Sequence, residues 1–247
     1  MSDNSEKRPS TRKPARRAAS DLSADIANEI RDSIIDGRLI VDARLPSEAE
    51  LAAQFAVSRP TVREALKRLA AQSLIRTQRG ASGGAFVNRL SYEQAYPQQV
   101  TTATLLLSMN GISFATACEA RFALERACAL LACSNRTDQQ LDALKFEIER
   151  QKDTFLSDET FCQSDVSFHR TFVDCACNPV LSYQLAGAIE AMQPLMNMIT
   201  YTRRSRAVIV DLHSAILDAL ADRKATSCEN VLDELHSYTL SLASPKS

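Results

Sequence analysis

The stretch Leu45-Pro-Ser-Glu-Ala-Glu-Leu-Ala-Ala-Gln-Phe-Ala-Val-Ser-Arg-Pro-Thr-Val-Arg-Glu-Ala-Leu-Lys-Arg-Leu69, followed by Ile75-Arg-Thr-Gln-Arg-Gly80 and Ala85-Phe-Val87, decides the reading of this chain. Ser47 and Glu50 form a Ser-x-x-Glu capping box just after Pro46, which predicts a helix start. Leu51 and Phe55 are four apart on its apolar face, and a tight turn runs through Phe55, Ala56 and Val57. Ser58 then suits the N-cap of a second helix. Val62, Leu66 and Leu69 recur at i, i+4 and i+7, giving that helix a buried stripe. Ile75–Gln78 and Ala85–Asn88 alternate apolar and polar residues, as half-buried strands do, and Gly80, Ser82, Gly83 and Gly84 supply the turn between them.

A short helix, a tight turn, a second helix opening with cations and a two-stranded wing together present a helix end to DNA. Arg59, Thr61 and Arg63 fall in the first turns of the second helix, off the expected stripe. A helix N-terminus favours phosphate, and an Arg there reaches guanine edges in the major groove. Arg79-Gly80 at the wing tip suits a narrow minor groove. A solvated charged face on an ordinary helical hairpin explains the charges alone, but not the wing.

Residues 22–89 resemble the winged helix-turn-helix of GntR-family regulators. The matching pieces are Leu45-Pro-Ser-Glu-x-Glu-Leu51, Val57-Ser-Arg-x-Thr-Val-Arg-Glu-Ala-Leu-x-x-Leu69 and Gly84-Ala-Phe-Val87. The resemblance implies operator contacts by Arg59, Thr61 and Arg63, with a wing-tip contact by Arg79 and Gly80. Many relatives of the FadR type carry an Arg between the two acids of the first helix, where this chain has Ala49.

The 247 residues suffice for two modest domains. Charge divides between them: residues 1–89 carry 16 Lys/Arg against 11 Asp/Glu, and residues 90–247 carry 13 against 19. One end therefore suits a polyanion. Residues 1–20 read as a disordered basic tail, with six cations between Lys7 and Arg17 able to add sequence-blind DNA affinity. Neither a secretory signal nor a membrane-spanning run is present, so a cytoplasmic protein without membrane contact is expected.

After the wing the pattern is all-helical. Residues 90–112 read as a linker helix, and residues 113–243 as a bundle with segments at about 113–133, 137–155, 157–176, 179–200, 205–222 and 225–243. The fold class is thus mainly α: an N-terminal winged helix-turn-helix, residues 21–89, plus a C-terminal all-α bundle. Seven cysteines lie in the C-terminal part without Cys-x-x-Cys spacing, which speaks against a disulfide framework or zinc finger. Cys175 and Cys177 are the pair to consider for redox sensing.

Only three histidines occur. Asp165 and His169 are four apart on one predicted helix and share a face; His213 and His236 lie on two others. Three imidazoles and a carboxylate suit a divalent ion such as Zn²⁺, Ni²⁺ or Mn²⁺. Arg121, on an apolar helix near Glu119 and Glu125, reads either as an intrahelical partner of Glu125 or as a cavity residue holding a carboxylate.

Residues 113–243 resemble the FCD ligand-sensing domain of the FadR subfamily. The pieces are Glu119-Ala-Arg-Phe-Ala-Leu-Glu125, Asp165-x-x-x-Phe-His-Arg170 with Asn178-Pro179, His213-Ser-Ala-Ile-Leu-Asp-Ala-Leu220 and the final His236. The resemblance implies Asp165, His169, His213 and His236 as metal ligands and Arg121 as effector-binding. Leu212 stands where relatives carry an acid before the third ligand, with Asp211 one further back. Metal and Arg in one cavity suggest a small organic acid, and the expected protein is a homodimeric repressor on a palindromic operator rather than an enzyme. A metal-dependent hydrolase is the alternative, yet neither a His-Glu-x-x-His nor a Gly-x-Ser-x-Gly motif occurs. A redox-responsive regulator using Cys175 and Cys177 is the other.

Overall fold

The computed structural model describes residues 19–80, 83–109, 111–192 and 204–243. The expected basic tail therefore lies almost wholly outside the described residues. The chain divides into two compact units, Met1–Leu90 and Ser91–Ser247.

The first unit contains α1 (Ala19–Ile35), α2 (Glu48–Gln54), α3 (Arg59–Ala71) and an antiparallel hairpin of β1 (Ile75–Gln78) and β2 (Gly84–Val87). Ile75 pairs with Val87 and Gln78 with Gly84. The capping box forms as the sequence predicts: Glu50 N donates to Ser47 Oγ, and Ser47 N donates to Glu50 Oε2 at 2.7 Å. Ala56 takes φ +52°, the left-handed conformation that turns the chain sharply into α3. Ile26, Ile30, Leu45, Ala65, Leu69, Ile75 and Val87 form one core, so α1, α3 and the hairpin each bury one face.

The second unit contains α4 (Tyr92–Met109), α5 (Phe114–Asn135), α6 (Asp138–Gln151), α7 (Asp158–Asp174), α8 (Pro179–Glu190), α9 (Arg206–Ala221) and α10 (Ala225–Ala243). Ser113, Thr137, Ser157, Asn178 and Ser205 cap five of these helices through their side chains, which explains why the polar breaks in the sequence marked the boundaries so closely. The second part of the segment expected at 179–200 falls outside the described residues. The helix expected to serve as a linker belongs to this unit: α4 lies against α8, where Gly187 lets the Ala103 side chain approach. Phe122, Phe168, Phe172, Leu185, Ile189, Ile209, Ile216 and Leu232 fill the bundle. No helix among the described residues is long and apolar enough to cross a membrane.

Candidate functional sites

The first site lies on the outer face of α2, α3 and the hairpin. Arg59 and Arg63 are exposed at the start of α3, and Arg79 is exposed at the end of β1. Arg63 is not idle. Its Nη2 and Nε donate to the two oxygens of Glu48 at 2.8 and 3.1 Å, a bidentate pair joining α3 to α2. Arg63 holds the Glu48 carboxyl below its usual range. A groove of about 420 Å³ runs between this pair and the wing, lined by Arg44, Glu48, Arg63, Lys67 and Gly83. Arg44, which sequence reasoning passed over, donates from Nη2 to the Gly83 carbonyl at 2.7 Å and so ties the wing turn to the strand approach. Gly83 cannot be replaced without movement, because a Cβ would lie 2.5 Å from the Gln78 carbonyl oxygen. Gly80 adopts φ +107° and accepts from Gly83 N through its carbonyl at 2.8 Å.

Thr61 requires a correction. The heptad-like stripe placed it outside, but it is 8% exposed, on the buried side of α3 with Val62, Ala65 and Leu69. Its Oγ1 is 2.8 Å from Ser58 Oγ. Ser58 is at the expected N-cap position, but its side chain engages that hydroxyl instead of a backbone N–H.

The second site is inside the bundle. Asp165 and His169 of α7 meet His213 of α9, with one donor atom from each within 4.8 Å of the others, all three buried. Helical spacing supplies the first two, and stacking fixes the third: the His213 ring lies on Phe168 at 3.9 Å and 12°. His169 Nδ1 donates to Glu125 Oε2 at 2.7 Å, and Arg121 Nε donates to Glu125 Oε1 at 2.6 Å. Glu125 is fully buried between them, and although burial alone would raise it, His169 and Arg121 hold its carboxyl below the ordinary value.

A chain of hydrogen bonds sets the tautomer of His213. Ser164 Oγ donates to Glu147 Oε2 at 2.6 Å, so its lone pair accepts from Gln151 Nε2 at 3.1 Å. That leaves Gln151 Oε1 as acceptor for His213 Nδ1, at 2.8 Å. The His213 Nε2 lone pair is therefore free. It is buried, has no hydrogen-bond partner among the described residues and lies 3.5 Å from Asp165 Oδ1. Burial pushes this imidazole well below the ordinary 6.5, so it is neutral at pH 7. Two lone pairs facing each other in a dry interior are an arrangement that a cation relieves, and imidazoles oriented through their second nitrogen are the usual support of a metal ligand. The donor set thus fits a borderline divalent ion.

Two expected residues behave otherwise. His236 is outside the three-residue cluster; its ring stacks on Phe122 at 5.0 Å, and its Nε2 is buried without a hydrogen-bond partner among the described residues. Arg121 is buried in the bundle and makes the Glu125 pair. The structure shows the intrahelical pair with Glu125 directly. Sequence reasoning missed Arg204, whose Nη2 donates to Asp165 Oδ1 at 2.5 Å and whose guanidinium covers the Phe161 ring. Gln151, Ser164 and Glu147 also escaped it. No periodic signal marks these residues, which come together only in the bundle.

Of the thiols considered for redox sensing, Cys175 is buried and its thiol is pushed up to about 12 by that burial. Cys177 is exposed, with φ +50° and its Sγ 3.5 Å from the Asn135 carbonyl. A thiol that stays protonated is a poor nucleophile toward oxidants, which weighs against the pair as a sensor.

Comparison with known proteins adds independent findings. Residues 22–87 match the family described as bacterial regulatory proteins, gntR family, and residues 116–236 match the FCD domain. The chain is 28% identical over 210 residues to a putative L-lactate dehydrogenase operon regulatory protein of Escherichia coli, covering 81% of this chain and 77% of that one. It is also 28% identical over 214 residues to the HTH-type transcriptional repressor NanR of Klebsiella aerogenes, covering 85% and 81%. Among solved structures, a Streptococcus agalactiae GntR protein aligns with a TM-score of 0.55 at 21% identity, covering 89% of this chain and 98% of that one.

Proposed function

Because the chain is a DNA-binding transcriptional regulator of the gntR family, with an FCD domain after its helix-turn-helix, we propose that it is a repressor whose operator affinity is set by a small carboxylate bound beside a divalent metal. The observation carrying this reading is the orphaned His213 Nε2 facing Asp165 in a buried site whose imidazoles are already oriented. Asp165, His169 and His213 are the ligand core, and the free Nε2 of His236 is the fourth donor. Zn²⁺, Ni²⁺ and Mn²⁺ all suit two or three nitrogens with one oxygen. Such an ion supplies a positive centre that polarises and anchors an acid. Arg121 faces the same interior and adds positive charge there. A relative named for an L-lactate operon supports a hydroxy acid as the class.

On the DNA side, Arg59 and Arg63 read the major groove, and Arg79 with Gly80 approaches the minor groove. Thr61 contributes by holding the start of α3. A homodimer places two such helices on a palindromic site, and exposed Leu105 and Met109 on α4 support burial of that helix against a second copy. The effector acts only through unequal affinity for the DNA-competent and DNA-incompetent arrangements.

The test is operator binding by fluorescence anisotropy, with a site selected by the protein from random DNA. Zinc plus a panel of hydroxy and oxo acids should weaken binding for the wild type and leave His213→Ala unresponsive. Operator affinity indifferent to every acid in the zinc-loaded protein overturns the reading.

A further inference from the structure

Arg204 carries the unexplained chemistry of the bundle. It stands just before α9, its side chain is 6% exposed, and it spends one nitrogen on Asp165. Its Nε and Nη1 are buried with no hydrogen-bond partner among the described residues. A guanidinium has five N–H groups and no way to neutralise itself, so two idle nitrogens in a dry interior are costly unless an anion takes them. The Phe161 ring beneath it, 5.3 Å from Cζ, holds the plane in place without satisfying any N–H.

The charges around the cluster sharpen this. Two guanidiniums, Arg121 and Arg204, balance two carboxylates, Glu125 and Asp165. Those four charges cancel one another. A divalent ion on Asp165 takes from Arg204 its one counterion among the described residues and leaves the buried site strongly positive. Such a site demands an anion, and the donors positioned to receive it are those of Arg204, since Arg121 already has Glu125.

From this we infer that Arg204 is the carboxylate-anchoring residue of the effector site, resting on Asp165 when the site is empty and turning its donors to the effector carboxylate when Asp165 takes a metal. The inference rests on the metal reading above, and it moves the principal anchoring role from Arg121 to Arg204. The ligand class it selects is a 2-hydroxy or 2-oxo acid: one carboxylate for Arg204 and an adjacent oxygen for the cation.

Calorimetry with glycolate, the simplest such acid, tests it. Zinc-loaded wild type should bind glycolate, and Arg204→Gln should lose roughly 10- to 150-fold, the range for a hydrogen bond to a charged group. Arg204→Lys, which keeps the charge, should lose less. Zinc itself should bind Arg204→Gln as tightly as wild type or tighter, because a competing cation is gone; a residue that merely braces the fold would weaken zinc instead. Glycolate affinity unchanged in Arg204→Gln, absent in the wild type, or lost together with zinc affinity overturns the assignment. If the wild type takes no zinc, the metal reading falls by itself, and Asp165→Asn without metal decides Arg204. Its released guanidinium should then make glycolate stabilise Asp165→Asn in thermal unfolding but not Asp165→Asn/Arg204→Gln. Equal responses of those two variants, each first shown to be folded by circular dichroism, refute the role.

Discussion

Two of the molecule's arginine–glutamate pairs lie at opposite depths. On the exposed face of α2 and α3, Arg63 grips Glu48 in water, with side chains 60% and 37% exposed. In the bundle Arg121 grips Glu125 at 3% and 0%. Water makes the first pair exchangeable, because screening leaves little net energy in an exposed ion pair. A phosphate can replace Glu48 as partner of Arg63 at small cost. Burial makes the second pair obligatory, since neither member has an alternative partner in the solvent. The difference teaches that the exposed pair is free to trade partners, whereas the buried one keeps Glu125 fixed between Arg121 and His169.

The sharpest way to break this contrast is to remove one member of the buried network. Glu125→Ala leaves Arg121 and His169 without their shared acceptor and should cost about 3–5 kcal/mol in denaturant unfolding. A loss below about 1 kcal/mol, the level of an exposed pair, erases the distinction.

The next effect is metal linkage. An ion held by α7 and α9, with α10 supplying His236, should stabilise the folded protein by about 2.7 kcal/mol when free metal is a hundredfold above its dissociation constant, and a chelator should reverse the shift in Tm. In the metal-free protein the pH dependence has a definite sign. Burial depresses His213, against the opposing pull of Asp165 and with help from the Arg204 and Arg121 guanidiniums, so below about 6.5 the unfolded chain takes up a proton that the folded chain refuses. Burial alone would raise Asp165 and Glu125; the Arg204 guanidinium beside Asp165, and His169 with Arg121 beside Glu125, hold both below their ordinary 3.8 and 4.5. Their contribution is complete above those values and is lost as pH falls through and below them. Stability measured by chemical denaturation at successive pH values should therefore fall from pH 7 to 5 and fall again below about 4.5. A flat profile contradicts the buried, paired state of these groups.

On the exposed face, Arg63→Ala should weaken specific operator binding roughly 5- to 150-fold while leaving the fold intact, as expected of a side chain reading a base or key phosphate. Glu48→Ala should weaken it little or not at all, since it only releases Arg63. A larger loss from Glu48→Ala than from Arg63→Ala in gel-shift titration reverses the assignment.

The smallest effect concerns Thr61. Thr61→Val removes a partly buried hydroxyl that meets Ser58, and should cost about 0.5–1.5 kcal/mol of stability with operator affinity nearly unchanged. Strong loss of DNA binding without loss of stability returns Thr61 to the DNA-contacting set.

The two regions were legible in the sequence to different degrees, for a physical reason. The winged unit is governed by local rules, such as the Ser47–Glu50 box, the Ala56 turn and the alternation of Ile75–Gln78, each readable within a few residues. Its one misreading, Thr61, came from taking a stripe of Val62, Leu66 and Leu69 as the limit of the buried face. Leu66 is in fact only half-buried, whereas Thr61 and Ala65 are inside. In the bundle the helices were equally legible, because Ser113, Thr137, Ser157, Asn178 and Ser205 cap them locally. Asp165 and His169 were found because one helix turn places them together. Gln151 reaches His213 across 62 positions and Arg204 reaches Asp165 across 39, so no local period announces either. His236 shows the converse: its place in a motif did not bring it into the three-residue cluster.

Equilibrium zinc binding to metal-stripped protein, measured by calorimetry at pH 7.5 or any pH where imidazole is neutral, tests the central claim most directly. The account predicts one ion per chain in the wild type, and binding abolished or severely weakened in Asp165→Asn and in His213→Ala, each of which remains folded. No zinc uptake by the wild type, or uptake that survives both substitutions unchanged, contradicts it.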